Sequence, residues 1–162
     1  MTTFTLVHVV LSLVGILAGL VAMGELVGGR TRAGVTALFL ATTAATSLTG
    51  FGFPFHRFLP SHAVGVISLL VLALALLARY GRRLAGGWPR VYAVTAVCAL
   101  YLNVFVLVAQ LFQKVPALKA LAPTQSEPPF LIAQVVVLVL FVVLGVRAVK
   151  RFRPAAAQPA AA

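Results

Sequence analysis

"LTGFGFPFHRFLPSH", Leu48–His62, interrupts an apolar stretch that otherwise runs from Ala33 to Ala78. Pro54 and Pro60 cannot continue a helix, and Gly50 and Gly52 weaken the one that leads into them, so the segment is read as a break. The break divides the stretch into two runs of about 20 residues, each enough to cross a hydrocarbon core of about 30 Å. Working outward, comparable runs lie at Phe4–Val27, Ala33–Phe53, Leu59–Ala78, Val91–Phe112 and Phe130–Val149. The fold class that follows is all-α: an integral membrane helical bundle of five transmembrane helices. Residues 1–153 form a single domain, and residues 154–162, "PAAAQPAAA", form a low-complexity tail expected to be disordered on the cytoplasmic side.

Composition agrees with this reading. Of 162 residues, 62% are hydrophobic and 9% charged, with a mean hydropathy of +1.09. A formal net charge of +11 could point to nucleic acid, but the basic residues are spread between apolar runs instead of lining one amphipathic face. They carry topology. Arg30, Arg32, Arg79, Arg82, Arg83, Arg90, Arg147, Lys150, Arg151 and Arg153 fall on one side, and Arg57, Lys114 and Lys119 on the other. The positive-inside rule then places the N-terminus outside and the C-terminus inside, in a bacterial-type inner (plasma) membrane. The opening "MTTFTLVHVV" lacks a basic n-region and reads as a retained first span.

Several chemistries are excluded by counting. The one cysteine, Cys98, cannot form a disulfide within the chain or a paired-thiol redox centre. The two acids, Glu25 and Glu127, fall at opposite membrane faces, which rules out paired-carboxylate hydrolysis.

The polar residues gather toward the outer half. His8, Ser12, Gly15 and Gly19 recur at spacings of four, three and four, forming one small-residue stripe with a histidine at its outer end. The third span also opens with a histidine, His62, followed by Gly65 and Ser68. "VTA" recurs at Val35–Ala37 and Val94–Ala96, so spans one and three read as parallel members of a weak internal duplication. The second span carries Thr36, Thr42, Thr43, Thr46, Ser47 and Thr49, whose hydroxyls can satisfy themselves on their own helix carbonyls. In the fourth span Tyr92, Asn103, Gln110 and Lys114 share a stripe expected to face the bundle, with Val106 facing away, and Gln134 can point the same way. In the last outer loop Ser126 is expected to cap the fifth span, with Glu127 favoured by its helix dipole and able to pair with Arg57, Lys114 or Lys119. On the inner face Glu25 is read as an ion-pair partner among Arg30, Arg79 and Arg82, in a half that is otherwise almost wholly apolar.

These residues outline an outward pocket of Ser12, Asn103, Gln110, Lys114, Gln134 and Glu127. Its candidate cofactor-binding group is His8, His62, Arg57, Phe53 and Phe55, able to serve a b-type haem or a quinone in a small redox subunit. Histidines on parallel helices suit haem ligation, although none of the sequence signatures of four-helix b-type cytochromes is present. The alternatives are a small-solute transporter or channel, and a non-catalytic assembly or scaffold subunit packed against partner helices or a second copy of itself. A copper or zinc site built from His8, His56 and His62 has no His-x-His or Met cluster behind it. The expected partners are the lipid bilayer and other membrane helices, not nucleic acid.

Overall fold

The computed structural model describes residues 2–53 and 60–153. Its elements are α1 (Thr3–Val27), α2 (Ala33–Gly50), α3 (Pro60–Leu76), α4 (Trp88–Lys114), α5 (Pro116–Leu121) and α6 (Pro128–Arg151), with α3 prolonged by a π turn over Leu77–Gly81. Five of these helical segments are long and apolar enough to cross a membrane. The second ends three residues earlier than expected, at Gly50, while the fourth extends at both ends. The short α5 falls in a segment read as loop. Pro116 opens it, where a missing N–H costs nothing, and Ala, Leu and Lys are good helix formers. The expectations for residues 154–162 lie outside the described residues.

Cross-helix contacts give each helix a direction. The start of α1 meets the end of α2 through His8 and Thr49, and the end of α3 meets the start of α2 through Arg79 and Thr31. The start of α4 meets the end of α6 through Tyr92 and Phe152. Thus α1, α3 and α6 run one way, and α2 and α4 the other. Helix α4 is the central post, touched by α1, α2, α3 and α6, while α6, α1, α2 and α3 follow one another around it. One end of the bundle holds His8 and His62, and the other holds the clustered arginines.

The core is built for close approach. Ala93, Ala96 and Ala99 on α4, Ala75 on α3 and Ala78 in the π turn that prolongs it are buried, at the near-turn spacing of residues on one helix face. Gly19 does the same for α1. A Cβ there would sit 2.5 Å from Leu100 and 2.9 Å from Phe39, so α2 and α4 both press on the bare backbone. Outward faces are apolar, most of all on α6, where Val135, Val136, Val139, Val142, Val143 and Val146 are all exposed. An apolar surface of this extent is compatible with a multi-pass membrane protein, and in water it would be an aggregation liability.

At the α1–α2 turn Gly29 takes φ +79°. This left-handed residue lets its N–H bond the Leu26 carbonyl and that of Arg30 bond Glu25, closing the helix end. Glu25 in turn accepts from the Arg32 N–H at 2.8 Å and pairs with its guanidinium. Arg32 is therefore the ion-pair partner of Glu25, in place of Arg30, Arg79 and Arg82 considered from sequence, because the turn brings residue 32 back over residue 25.

Candidate functional site

The hydroxyls of α2 are the hub of the polar network. Thr42 and Thr49 do bond their own helix, at 2.6 Å to the Leu38 carbonyl and 2.7 Å to that of Ala45. The same helix also serves three neighbours. Thr43 accepts from Asn103 Nδ2 of α4 at 3.1 Å, Ser47 pairs with Ser68 of α3 at 3.0 Å in a buried contact, and Thr49 lies 2.8 Å from His8 Nδ1 of α1. The Thr46 hydroxyl is buried with no hydrogen-bond partner among the described residues.

The contacts of Thr49 favour one tautomer of His8. When the single hydroxyl hydrogen of Thr49 goes to the Ala45 carbonyl, its oxygen accepts from the imidazole. His8 then carries its proton on Nδ1, and Nε2 becomes the acceptor nitrogen. The ring is walled by Phe53, edge-on at 5.1 Å and 88°, and Phe53 packs in turn on Phe4 at 5.1 Å. Gly52 allows this, since a Cβ there would meet Phe4 at 2.7 Å. Ser12 supports the same turn of α1 by donating to the His8 carbonyl at 2.8 Å.

His62, in the first turn of α3, is buried, with its ring 6.1 Å from that of Phe51. The two imidazoles thus pack on different flanks of the end of α2, one against Thr49 and one against Phe51. Arg57, Phe55, His56 and Phe58 lie outside the described residues.

The remaining residues of the expected pocket spread out. Gln134 is buried and donates to the Phe105 carbonyl at 3.2 Å, its own carbonyl left without a partner among the described residues. Gln110 and Lys114, expected to face the bundle, are exposed, whereas Val106, expected to face away, is half-buried. Asn103 meets α2, whereas Gln110, only about 20° off the same stripe seven residues on, is exposed.

Ser126 does not cap α6. The N-cap position belongs to Glu127, whose side chain turns back from the helix to accept from Thr124 N–H and Ser126 N–H at 3.1 Å and from the Thr124 hydroxyl at 2.9 Å. Desolvation works against its charge, but these hydrogen bonds outweigh it and hold the carboxyl below the usual carboxylate range. Among the described residues the ion pair is that of Glu25 and Arg32, so Glu127 meets neither Lys114 nor Lys119.

The opposite end, expected to be almost wholly apolar, also has polar content. Thr36, Tyr92 and Thr95 are buried there, the Arg79 guanidinium lies 5.3 Å over the Tyr92 ring, and that of Arg82 lies 5.3 Å over Trp88. Their signal was the aromatic residues beside arginines in "ARYGRRLAGGWPRVY". Among the described residues no group of three or more His, Cys, Asp or Glu side chains could hold a metal ion. No family model matches the chain, and no curated protein or solved structure matches it either.

Proposed function

We propose that this is an inner-membrane protein that binds a quinone or its quinol at His8, with its N-terminus outside, as a small subunit of a redox assembly. The observation that supports the reading is the imidazole that uses Nδ1 on Thr49 beside the Phe53 ring, which leaves Nε2 for a ligand. Such a nitrogen accepts a quinol hydroxyl, and Phe53 and Phe4 offer the flat apolar surface that a quinone ring needs. A lipid-soluble ligand can arrive sideways between helices, so an aqueous cavity is not required. A haem held jointly by His8 and His62 fits less well, because the end of α2 separates them.

The test is calorimetric titration of the detergent-purified protein with a short-chain ubiquinol kept reduced, whose hydroxyl can donate to Nε2. His8→Leu removes one hydrogen bond from the ligand and should weaken binding by up to roughly tenfold, whereas His62→Leu should leave it within about twofold. Equal affinities for wild type and His8→Leu would refute the site. A Soret band in the purified protein that disappears in both His8→Ala and His62→Ala would replace the quinone by haem.

Orientation has its own test. A reporter active only outside the cytoplasm should work when fused near Thr124 and be silent when fused after Arg153, following the ten-to-three division of basic residues. The reverse pattern would move His8 to the cytoplasmic face.

A further inference from the structure

At the arginine-rich end, α4 and α6 leave between them a groove of about 360 Å³ lined by Val97, Cys98, Tyr101, Phe141 and Gly145, with Lys150 at its end. The groove is apolar along its length and closes on a cation. Gly145 sets its depth, because the nearest atom that a Cβ there would meet is a Val97 methyl at 3.4 Å.

Helical rise gives the groove a length. From Leu138 to Lys150 on α6 the rise amounts to about 18 Å, against about 15 Å for the hydrocarbon of one leaflet. It therefore runs from mid-bilayer to the headgroup level in a bundle that spans the membrane. Arg90 lies one helical turn before the lining residue Val94 and continues the same face of α4, while Arg147 precedes Lys150 by three residues on α6. Arg90, Arg147 and Lys150 are all exposed. An apolar channel one leaflet long, flanked at one end only by cations, is complementary to a single acyl chain under an anionic headgroup. A second protein helix would need small residues along this face, but the groove edge carries Val94, Leu138, Val142 and Val146.

We propose that the groove between α4 and α6 is a binding site for an anionic phospholipid, its acyl chain lying along Cys98, Tyr101 and Gly145 and its phosphate held by Arg90 and Lys150. The site is independent of His8 and of which membrane face the arginines occupy.

Cys98 makes the test site-specific, since it is the one cysteine in the chain and it lines the groove. The full-length protein is reconstituted in nanodiscs of phosphatidylcholine, with or without phosphatidylglycerol, and Cys98 is labelled with a membrane-soluble maleimide. Phosphatidylglycerol should slow labelling and should persist as an adduct in native mass spectra. At about 1 kcal/mol for each basic residue near the surface, Arg90→Gln or Lys150→Gln should cut retention roughly fivefold, and the pair about thirtyfold. Arg83→Gln, which removes a charge in the α3–α4 connection, should change it little. Gly145→Leu should fill the groove and abolish the phosphatidylglycerol adduct without removing a charge. Equal retention in Arg83→Gln and in the Arg90→Gln/Lys150→Gln pair would show a diffuse ionic attraction and overturn the site. Protection of Cys98 that follows protein concentration instead of headgroup charge would give the groove to a second copy of the chain and overturn it equally.

Discussion

Gly19→Leu is expected to abolish the native bundle, or to lower its thermal midpoint in detergent far more than any other glycine substitution in α1. A Cβ alone at this position falls 2.5 Å from Leu100 and 2.9 Å from Phe39, and Phe39 and Leu100 are themselves almost fully buried. Neither neighbour has space to retreat. Overpacking of a tight core costs about 1–3 kcal/mol for a small excess, and leucine adds three carbons beyond the one that already clashes. Gly24→Ala is the matched control. Nothing lies within 4 Å of a Cβ there, so the substitution should be neutral or stabilising, by up to the ~1 kcal/mol that separates glycine from alanine in helix propensity. Thermal unfolding followed by circular dichroism, paired with size-exclusion chromatography, reads both. If Gly19→Leu matched wild type, the crossing of α1 over α2 and α4 would be wrong.

Arg32→Ala should destabilise more than Glu25→Gln, although both remove the same ion pair. Glu25 is 6% exposed and Arg32 is 68% exposed in its side chain, so the two losses leave different remnants. Without Glu25, the arginine turns to water. Without the arginine, a carboxylate with little exposed surface keeps one backbone N–H to satisfy it. Because Arg32 is largely exposed the pair is not a buried one, and the loss is expected at about 1–2 kcal/mol. Glu25→Gln keeps an acceptor for the Arg32 N–H, which caps the start of α2, and should cost about 1 kcal/mol. Combining Arg32→Ala with Glu25→Gln should recover stability relative to Arg32→Ala alone. A double variant as unstable as the sum of the two singles would show that Glu25 is not buried as a charge.

The architecture was legible because it depends on quantities that are local in the chain. A run of about 20 apolar residues between Gly, Pro and Arg clusters needs no tertiary information to be recognised as a membrane-length helix, and all five runs formed helices close to those limits. Helix ends were less legible. Gly50 ends α2 where the apolar pattern still continues to Phe53, and the Pro116 helix was hidden among loop residues. The small-residue stripe of α1 was readable from spacing alone, and Gly19 lies at its tightest contact.

Pairing was a different matter, since it depends on how each helix rotates about its axis. His8, Thr49 and Phe53 were all visible as polar or aromatic residues near one end, yet nothing in their spacing matched His8 with Thr49 or set its tautomer. That match needs α2 to cross α1 at one particular rotation. The same rotation turns Asn103 inward and leaves Gln110 exposed on one nominal stripe. Likewise a single turn with Gly29 at positive φ selected Arg32 for Glu25 from many equivalent cations. The sequence by itself determined which segments are helices long and apolar enough to cross a membrane, because hydropathy and helix-breaking act over a few residues. Only the tertiary structure decided which polar groups meet, because a hydrogen bond needs ångström placement between helices that the chain leaves free to turn.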